Sequence, residues 1–334
     1  MPVCIRVPKT EGECVRIDLI SKGILDTSRK IGSDGQFLLI PILAGSYGDY
    51  DMAEVDLEIL EQTPADYKEV LDIPEDLRKD LPTSFDKIGD VAIIKIPGGL
   101  IPYRNNIGKA LMSVNPSIRT VMNDSGVKGN LRIRELERVS GEGGPETVHR
   151  EFGVKMITDP SKVYFNPRLA TERARVASLV KDGEIIIDMF AGVAPFALVI
   201  CKKAKPDRVY SIDMNPDAEG FVRRSIKLNH IDNITPITGD AADVIKGLPD
   251  ADRIIMNLPQ TADSFLCDAL PKVRIGGAIH LYKISERSEL AGFAEKITED
   301  TASSGYGINI SGISELKTYS PTMSVYVLDI VRER

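Results

Sequence analysis

Residues 184–200 read Glu-Ile-Ile-Ile-Asp-Met-Phe-Ala-Gly-Val-Ala-Pro-Phe-Ala-Leu-Val-Ile. Ile185–Ile187 form a continuous β-branched run, the pattern of a strand buried on both faces of a parallel sheet. Asp188 falls at its carboxyl end. Phe190–Ala194 make a tight turn in which Gly192 lets backbone approach a ligand. Pro195 then opens an apolar helix at the position where a missing N–H costs nothing. Open α/β sheets bind ligands at the carboxyl ends of their strands, so this turn is expected to face one.

Downstream the βα pattern repeats. Strands are expected at Arg208–Ile212, Ile234–Thr238, Arg253–Met256, Ala278–Ile284, Ile308–Lys317 and Met323–Ile330. Helices are expected at 167–180, 195–204, 216–229, 241–246, 261–270 and 286–302. Two final strands with no helix between them imply a mostly parallel, seven-stranded α/β sheet closed by an antiparallel hairpin. Upstream, residues 1–62 read as a small α+β module with strands Cys4–Val7, Phe37–Ile42 and Val55–Leu60 and a helix Glu11–Lys22. Residues 63–84, with Pro64, Pro74 and Pro82 among charges, read as a linker. Residues 85–165 read as a second α+β module, with strands Val91–Ile96, Ile118–Met122, Leu131–Val139, Thr147–Arg150 and Val154–Ile157 and a helix Arg104–Val114. Residues 166–334 are the Rossmann-like domain.

The 334 residues are 43% hydrophobic and 27% charged, enough for large cores and against disorder. The net charge of −7 is uneven: residues 49–90 hold 14 acids and 4 bases, residues 128–175 hold 10 bases and 7 acids. A polyanion can therefore meet local basic patches, at Lys128–Arg138, Lys162–Arg175, Lys202–Arg208 and Arg223–Lys227. The four cysteines form no C-x-x-C pair, no signal peptide stands at the N-terminus, and no apolar run spans a bilayer. A reduced, cytoplasmic protein is expected. The three histidines match no zinc spacing, so no metal is expected.

The dinucleotide fingerprint G-x-G-x-x-G is absent after Asp188. One glycine gives no dense nest of amides for a pyrophosphate, so a ligand without phosphates fits better. The second strand leads to Asp213, suited to ribose hydroxyls, and the third to Asp240, suited to an adenine amine. This arrangement resembles the class I S-adenosylmethionine-dependent methyltransferases, whose cationic cofactor suits an acid-lined cleft. The resemblance implies cofactor contacts from Asp188, Phe190, Gly192, Val193, Pro195, Asp213, Met214, Asp240, Ala241 and Asn257.

The fourth strand ends Met256-Asn257-Leu258-Pro259-Gln260. Before the first strand stands Tyr164-Phe-Asn166-Pro167-Arg168-Leu-Ala-Thr-Glu172-Arg173, with Asn166 as helix cap and Arg168 and Glu172 four apart on one face. A ring nitrogen that carries a proton needs a general base before it attacks a methyl donor, and Glu172 is a candidate. A surface Arg168–Glu172 ion pair is the plainer alternative.

Val163-Tyr-Phe-Asn-Pro-Arg-Leu-x-x-Glu-Arg, Asp-Met-Phe-Ala-Gly-Val-x-Pro-Phe at 188–196, Ile-Asp-x-Asn-Pro at 212–216 and Met-Asn-Leu-Pro at 256–259 together resemble the archaeal and eukaryotic type tRNA (guanine-37-N1)-methyltransferases. The resemblance implies that Glu172 takes the guanine N1 proton, Arg132 holds O6 and Asn257 fixes the base edge. It implies that Tyr164 and Pro259 pack on an extruded base, while Arg134, Arg168 and Arg173 serve substrate binding. It further implies tRNA as partner, gripped at the elbow by the N-terminal module and at the anticodon stem-loop by the middle one, with the enzyme a monomer. Ala194 stands where the family typically has glycine, and its methyl is expected to narrow the methionine end of the cofactor site. A wybutosine-pathway transferase acting on guanine-37 and a non-catalytic RNA-binding protein are the alternatives.

Overall fold

The computed structural model describes residues 3–60, 64, 66–129, 131 and 133–334. Two compact units make up the chain, residues 1–69 and 70–334.

The first unit holds strands β1 (Val3–Pro8), β2 (Gly32–Asp34), β3 (Phe37–Pro41) and β4 (Met52–Glu54), an antiparallel sheet in the order β2-β3-β1-β4. The helix Gly12–Ser21 packs Val15 and Leu19 against Ile5, Val7, Ile40 and Ile42. The strand expected at Val55–Leu60 lies earlier. The second edge of β1 pairs with Met52–Glu54, and Ile59 makes only a single bridge to Arg29. Available pairing, not β-propensity, decides this segment.

In the second unit, the stretch expected as linker holds a 3₁₀ turn at Glu75–Asp80 and buries Leu71, Ile73 and Leu81. Strands β5 (Asp86–Ile88), β6 (Val91–Ile94), β7 (Thr120–Lys128) and β8 (Ile133–Gly141) form a sheet in that order, with the helix Arg104–Val114 joining the parallel pair β6 and β7. A hairpin of β9 (Thr147–Glu151) and β10 (Val154–Thr158) follows. It is tied to the helix Pro216–Asn229: Ser225 Oγ accepts from Ile157 N–H at 2.9 Å and Asn229 Oδ1 from Lys155 N–H at 2.9 Å. One apolar core runs from Ile88, Val91 and Met122 through Met156 to Phe196 and Phe221. That shared core makes residues 70–334 one unit.

The large sheet contains β11 (Ile185–Asp188), β12 (Arg208–Asp213), β13 (Ile234–Thr238), β14 (Ala251–Met256), β15 (Val273–Glu286), β16 (Ile308–Thr318) and β17 (Met323–Arg332), in the order β13-β12-β11-β14-β15-β17-β16. Only β17 runs antiparallel, inserted between β15 and β16. Ile186 and Ile187 are fully buried in the central strand, each burial worth about 1.5–3 kcal/mol. The helix expected at 261–270 is broken into three short turns, Ala262–Phe265, Leu266–Ala269 and Leu270–Lys272. Pro271 lies in the last of these and lacks the N–H that would continue a helix. No helix among the described residues is long and apolar enough to cross a membrane.

Candidate active site

The turn after β11 is built by backbone and one acid. Ala191 N–H donates to Ile212 O at 2.8 Å and Met189 N–H to Ile255 O at 3.0 Å, which seats the turn between the neighbouring strands. Asp213 Oδ2 accepts from Gly192 N–H at 2.6 Å, and Oδ1 from Asn215 N–H at 2.9 Å. Gly192 has φ +54°, and a Cβ there would lie 3.1 Å from Tyr164 O. Glycine is therefore favoured twice, by its dihedral and by the approach of the Tyr164 segment. Asn215 caps the helix Pro216–Asn229 and reaches Lys162 O at 2.7 Å, fixing the stretch before Tyr164.

A cavity of about 230 Å³ opens above this turn. Of the expected cofactor residues, Phe190, Gly192, Pro195, Asp213, Met214, Asp240, Ala241 and Asn257 line it. Tyr164, Arg173 and Pro259 line it from the expected substrate side. Asp240 also caps the next helix through Ala242 N–H at 2.8 Å. Residues to which the sequence assigned no role join the wall: Met189, Asn215, Phe265, Ile284, Lys317, Tyr319 and Val325, of which Met189 and Asn215 stand in the family motifs. Lys317 and Tyr319 come from the end of β16, which runs parallel to the other strands and so finishes at their carboxyl ends.

Several expected contacts differ. Val193 is fully buried in the apolar core and does not line the cavity, because the turn points its side chain inward. Ala194 is also fully buried, outside the lining, with φ +54° and ψ +45°. Its methyl packs into the core instead of narrowing the cavity, and its cost is the left-handed backbone. Arg168 does not pair with Glu172: its Nε meets Asp86 Oδ1 at 2.8 Å. Arg134 is held by Asp86 at 2.9 Å and Asp124 at 3.3 Å, so both arginines are engaged by carboxylates of the 85–165 segment. Arg173 is 1% exposed and forks onto Glu151, with Phe165 beneath its guanidinium. Glu172 is itself outside the lining, although Leu169 and Arg173 on the same helical stretch are in it. Its carboxylate is taken by Arg175 and Tyr282. Arg132 lies outside the described residues.

Asp188 is 1% exposed beneath the turn and outside the lining. Among the described residues no donor meets either of its oxygens in hydrogen-bonding geometry. Burial, together with the Asp213 charge, pushes its carboxyl up to about 8, and the Phe190 N–H gives only a weak offset. Burial also raises the Asp213 carboxyl. A buried and a half-buried acid, with no cation paired to either among the described residues, fit a ligand that carries positive charge, as the sulfonium and ammonium of S-adenosylmethionine do.

Because the folded-state value of Asp188 lies above its unfolded 3.8, the protonated form is favoured by folding. The stability it contributes is full below about pH 4 and is lost as pH rises through 8. Asp188→Asn removes this dependence. Without cofactor, its Tm is expected to exceed that of the parent by a few degrees near pH 9 and to match it near pH 5. A difference independent of pH in calorimetry would contradict the buried-charge reading.

This sheet order, with a single-glycine turn after β11 and acids at the ends of β12 and β13, defines a class I methyltransferase. Known proteins narrow the class. A family profile described as the TRM5/TYW2 methyltransferase domain matches residues 147–304, one for the TYW2 N-terminal domain matches 67–144, and one for the tRNA methyltransferase 5 N-terminal domain matches 4–50. The tRNA (guanine(37)-N(1))-methyltransferase Trm5b of Pyrococcus abyssi is 41% identical over 332 residues, 98% of each chain. Its crystal structure is similar with a TM-score of 0.79 at 38% identity, covering both chains in full. The complex of aTrm5 with tRNALeu is similar with a TM-score of 0.72 at 31% identity, covering 99% of each chain. The chain belongs to the Trm5 family of tRNA (guanine(37)-N(1))-methyltransferases.

Proposed function

We propose that this chain transfers the methyl group of S-adenosylmethionine to N1 of the guanine at position 37 of tRNA, with Glu172 as general base. The observation that carries this reading is a single cavity in which the acid-lined turn meets Asn257, Pro259 and Tyr164. S-adenosylmethionine supplies a methyl group on a cationic sulfur. Asp213 and Asp240 hold the nucleoside end, and the acid-lined cleft suits the cationic sulfur. Guanine-37 stacks within the anticodon loop, so it must be extruded to enter. Tyr164 and Pro259 then pack on its faces, Asn257 meets its Watson–Crick edge, and the role of holding O6, where negative charge builds, falls to Arg132.

Guanine N1 carries a proton at neutral pH and becomes nucleophilic only when the proton leaves. In the transfer, the N1–H bond breaks and its proton passes to Glu172. The N1–methyl bond forms as the sulfur–methyl bond breaks, and the neutral thioether departs. In the free protein Glu172 lies outside the cavity lining. Catalytic hydrogen bonds often close only in the substrate complex. The 1–62 segment serves the tRNA elbow, and residues 85–165 grip the anticodon stem-loop.

The test uses methyl-labelled and carboxyl-labelled S-adenosylmethionine with tRNA transcripts carrying guanosine or adenosine at position 37. Methyl label in N1-methylguanosine from the guanosine transcript alone is expected. Carboxyl label in tRNA, or methyl label at another position, overturns the reading. Asp213→Ala is expected to weaken cofactor affinity about 10–100-fold, the loss of hydrogen bonds to a charged acceptor. Unchanged affinity by calorimetry would count against Asp213 as the ribose ligand.

A further inference from the structure

Behind the cavity, charged side chains from the helix Ala170–Leu179 and from β14, β15 and β17 form one continuous hydrogen-bonded chain. Glu172 Oε1 accepts from the Tyr282 hydroxyl at 2.7 Å and from Arg175 Nη2 at 2.8 Å, and Oε2 accepts from Arg175 Nε at 2.7 Å. Arg175 turns its other edge to Asp329, with Nη1 2.7 Å from Oδ2 and Nη2 3.2 Å from Oδ1. Asp329 Oδ1 lies 2.6 Å from His280 Nδ1. Arg253 Nη1 stands 2.7 Å from His280 Nε2 and forks onto Glu184 at 2.9 and 3.0 Å.

The proton positions in this chain follow from its donors. Arg253 has only protons to give, so His280 Nε2 must accept, and Nδ1–H donates to Asp329. His280 is therefore a neutral imidazole, in keeping with burial holding it below its ordinary value. Asp329 is ionised: burial raises it, but His280 and Arg175 outweigh burial and hold it down at about 2. The chain then contains three carboxylates, Glu172, Asp329 and Glu184, against two guanidiniums, Arg175 and Arg253. Arg173 and Arg168 on the same helical stretch do not balance the difference, since Glu151 and Asp86 take them. Glu172 is the buried member of this set, whereas Arg175 and Asp329 are partly exposed, and an uncompensated charge costs most where it is buried. The set is a single proton short of neutral.

The open position is on Glu172. A carboxylate has about four lone-pair sites. Both on Oε1 are used by Tyr282 and Arg175, and one on Oε2 by Arg175. One site on Oε2 remains for a proton.

We propose that Tyr282, Arg175 and Asp329 are positioning residues for Glu172, orienting its carboxylate so that a single Oε2 lone pair receives the guanine N1 proton. Tyr282 suits this role by place as well as by contact. It follows Leu281, which pairs with Met256 directly before Asn257, so the clamp sits level with the base-edge amide. When Glu172 takes the proton, Arg175 keeps Asp329 as partner and the chain becomes neutral. The inference rests on the reading of Glu172 as base.

The test compares single-turnover methyl transfer across pH in the full chain. Tyr282→Phe keeps a ring that is fully buried 5.9 Å from Phe196 and removes one donor to Glu172. The single-turnover rate is expected to fall about tenfold, with KM for tRNA and cofactor unchanged. The acid limb of its profile should move up, because the charged carboxylate has lost a donor. Asp329→Asn removes the negative charge beside Arg175, so the guanidinium favours ionised Glu172 more strongly, and the limb should move down. Limbs that stay in place, or that move the same way, overturn the inference. Should Asp329→Asn not fold, an unmoved limb in Tyr282→Phe overturns it alone. Glu172→Gln separates the two readings. Near-normal turnover in that variant removes the base, whereas lost turnover with unmoved limbs in the other variants removes only the positioning role.

Discussion

Glu172→Gln is expected to slow the methyl-transfer step by about 10²–10⁴-fold, the range for loss of a general base, with cofactor affinity unchanged. The substitution is near-isosteric, and its amide oxygen still accepts from Tyr282. What it removes is the capacity to take a proton from a ring nitrogen that has no free lone pair until the proton leaves. Arg175 keeps Asp329 at 2.7 Å, so the guanidinium is not stranded and the fold should survive. Cofactor affinity should hold because Glu172 lies outside the cavity lining, whereas Gly192, Asp213 and Asp240 are in it. Single-turnover rates at saturating tRNA read the chemical step free of product release. A rate within a few-fold of the parent would remove Glu172 from the role. Attention would then turn to the acids that do line the cavity.

Local signals were legible in the sequence, and long-range ones were not. Ile185–Asp188, Ile234–Thr238, Pro216–Asn229 and Arg104–Val114 fall where caps, prolines and apolar runs place them. Those signals act between residues a few positions apart. The acid-lined turn was legible for the same reason: Asp188, Gly192 and Pro195 span eight residues. The partners of the arginines were not. Arg168 sits four residues from Glu172 on a helical repeat, yet it binds Asp86, 82 residues away. Glu172 finds Tyr282, 110 residues away, and Arg175 finds Asp329, 154 away. Such pairs follow from sheet order. Because β17 inserts between β15 and β16, it carries Asp329 to the buried face beside the Ala170–Leu179 helix. The parallel run of β16 likewise delivers Lys317 and Tyr319 to the cavity. Periodicity reports which residues share a face, and only topology reports what that face meets.

Glu151→Gln is expected to destabilise the 70–334 unit by about 3–5 kcal/mol, the cost of removing one partner of a buried ion pair. Arg173 is 1% exposed and Glu151 8% exposed. Nε of Arg173 meets Glu151 Oε2 at 2.8 Å, and Nη2 meets Oε1, which His149 also approaches at 3.0 Å. The other contacts of Arg173 among the described residues are neutral: Asn166 O at 3.2 Å and the Phe165 ring at 5.5 Å. Without Glu151 a guanidinium stays buried with no counter-charge. Domains of this size have about 5–15 kcal/mol in total, so the loss should show as a large fall in Tm. The parent already carries the acid-side version of this experiment. Burial raises the Glu151 carboxyl, but His149 and Arg173 outweigh it and hold it below 4.5. The stability of the pair is therefore full above about pH 4.5 and is lost as pH falls through the depressed value. In Glu151→Gln that loss on acidification should be absent, so the Tm gap between parent and variant should close on going from pH 7 toward pH 3. Arg173 lies in the cavity wall and Glu151 in β9, so the substitution should also loosen the wall that faces the base. A variant that melts with the parent at pH 7 would show that the pair contributes packing alone.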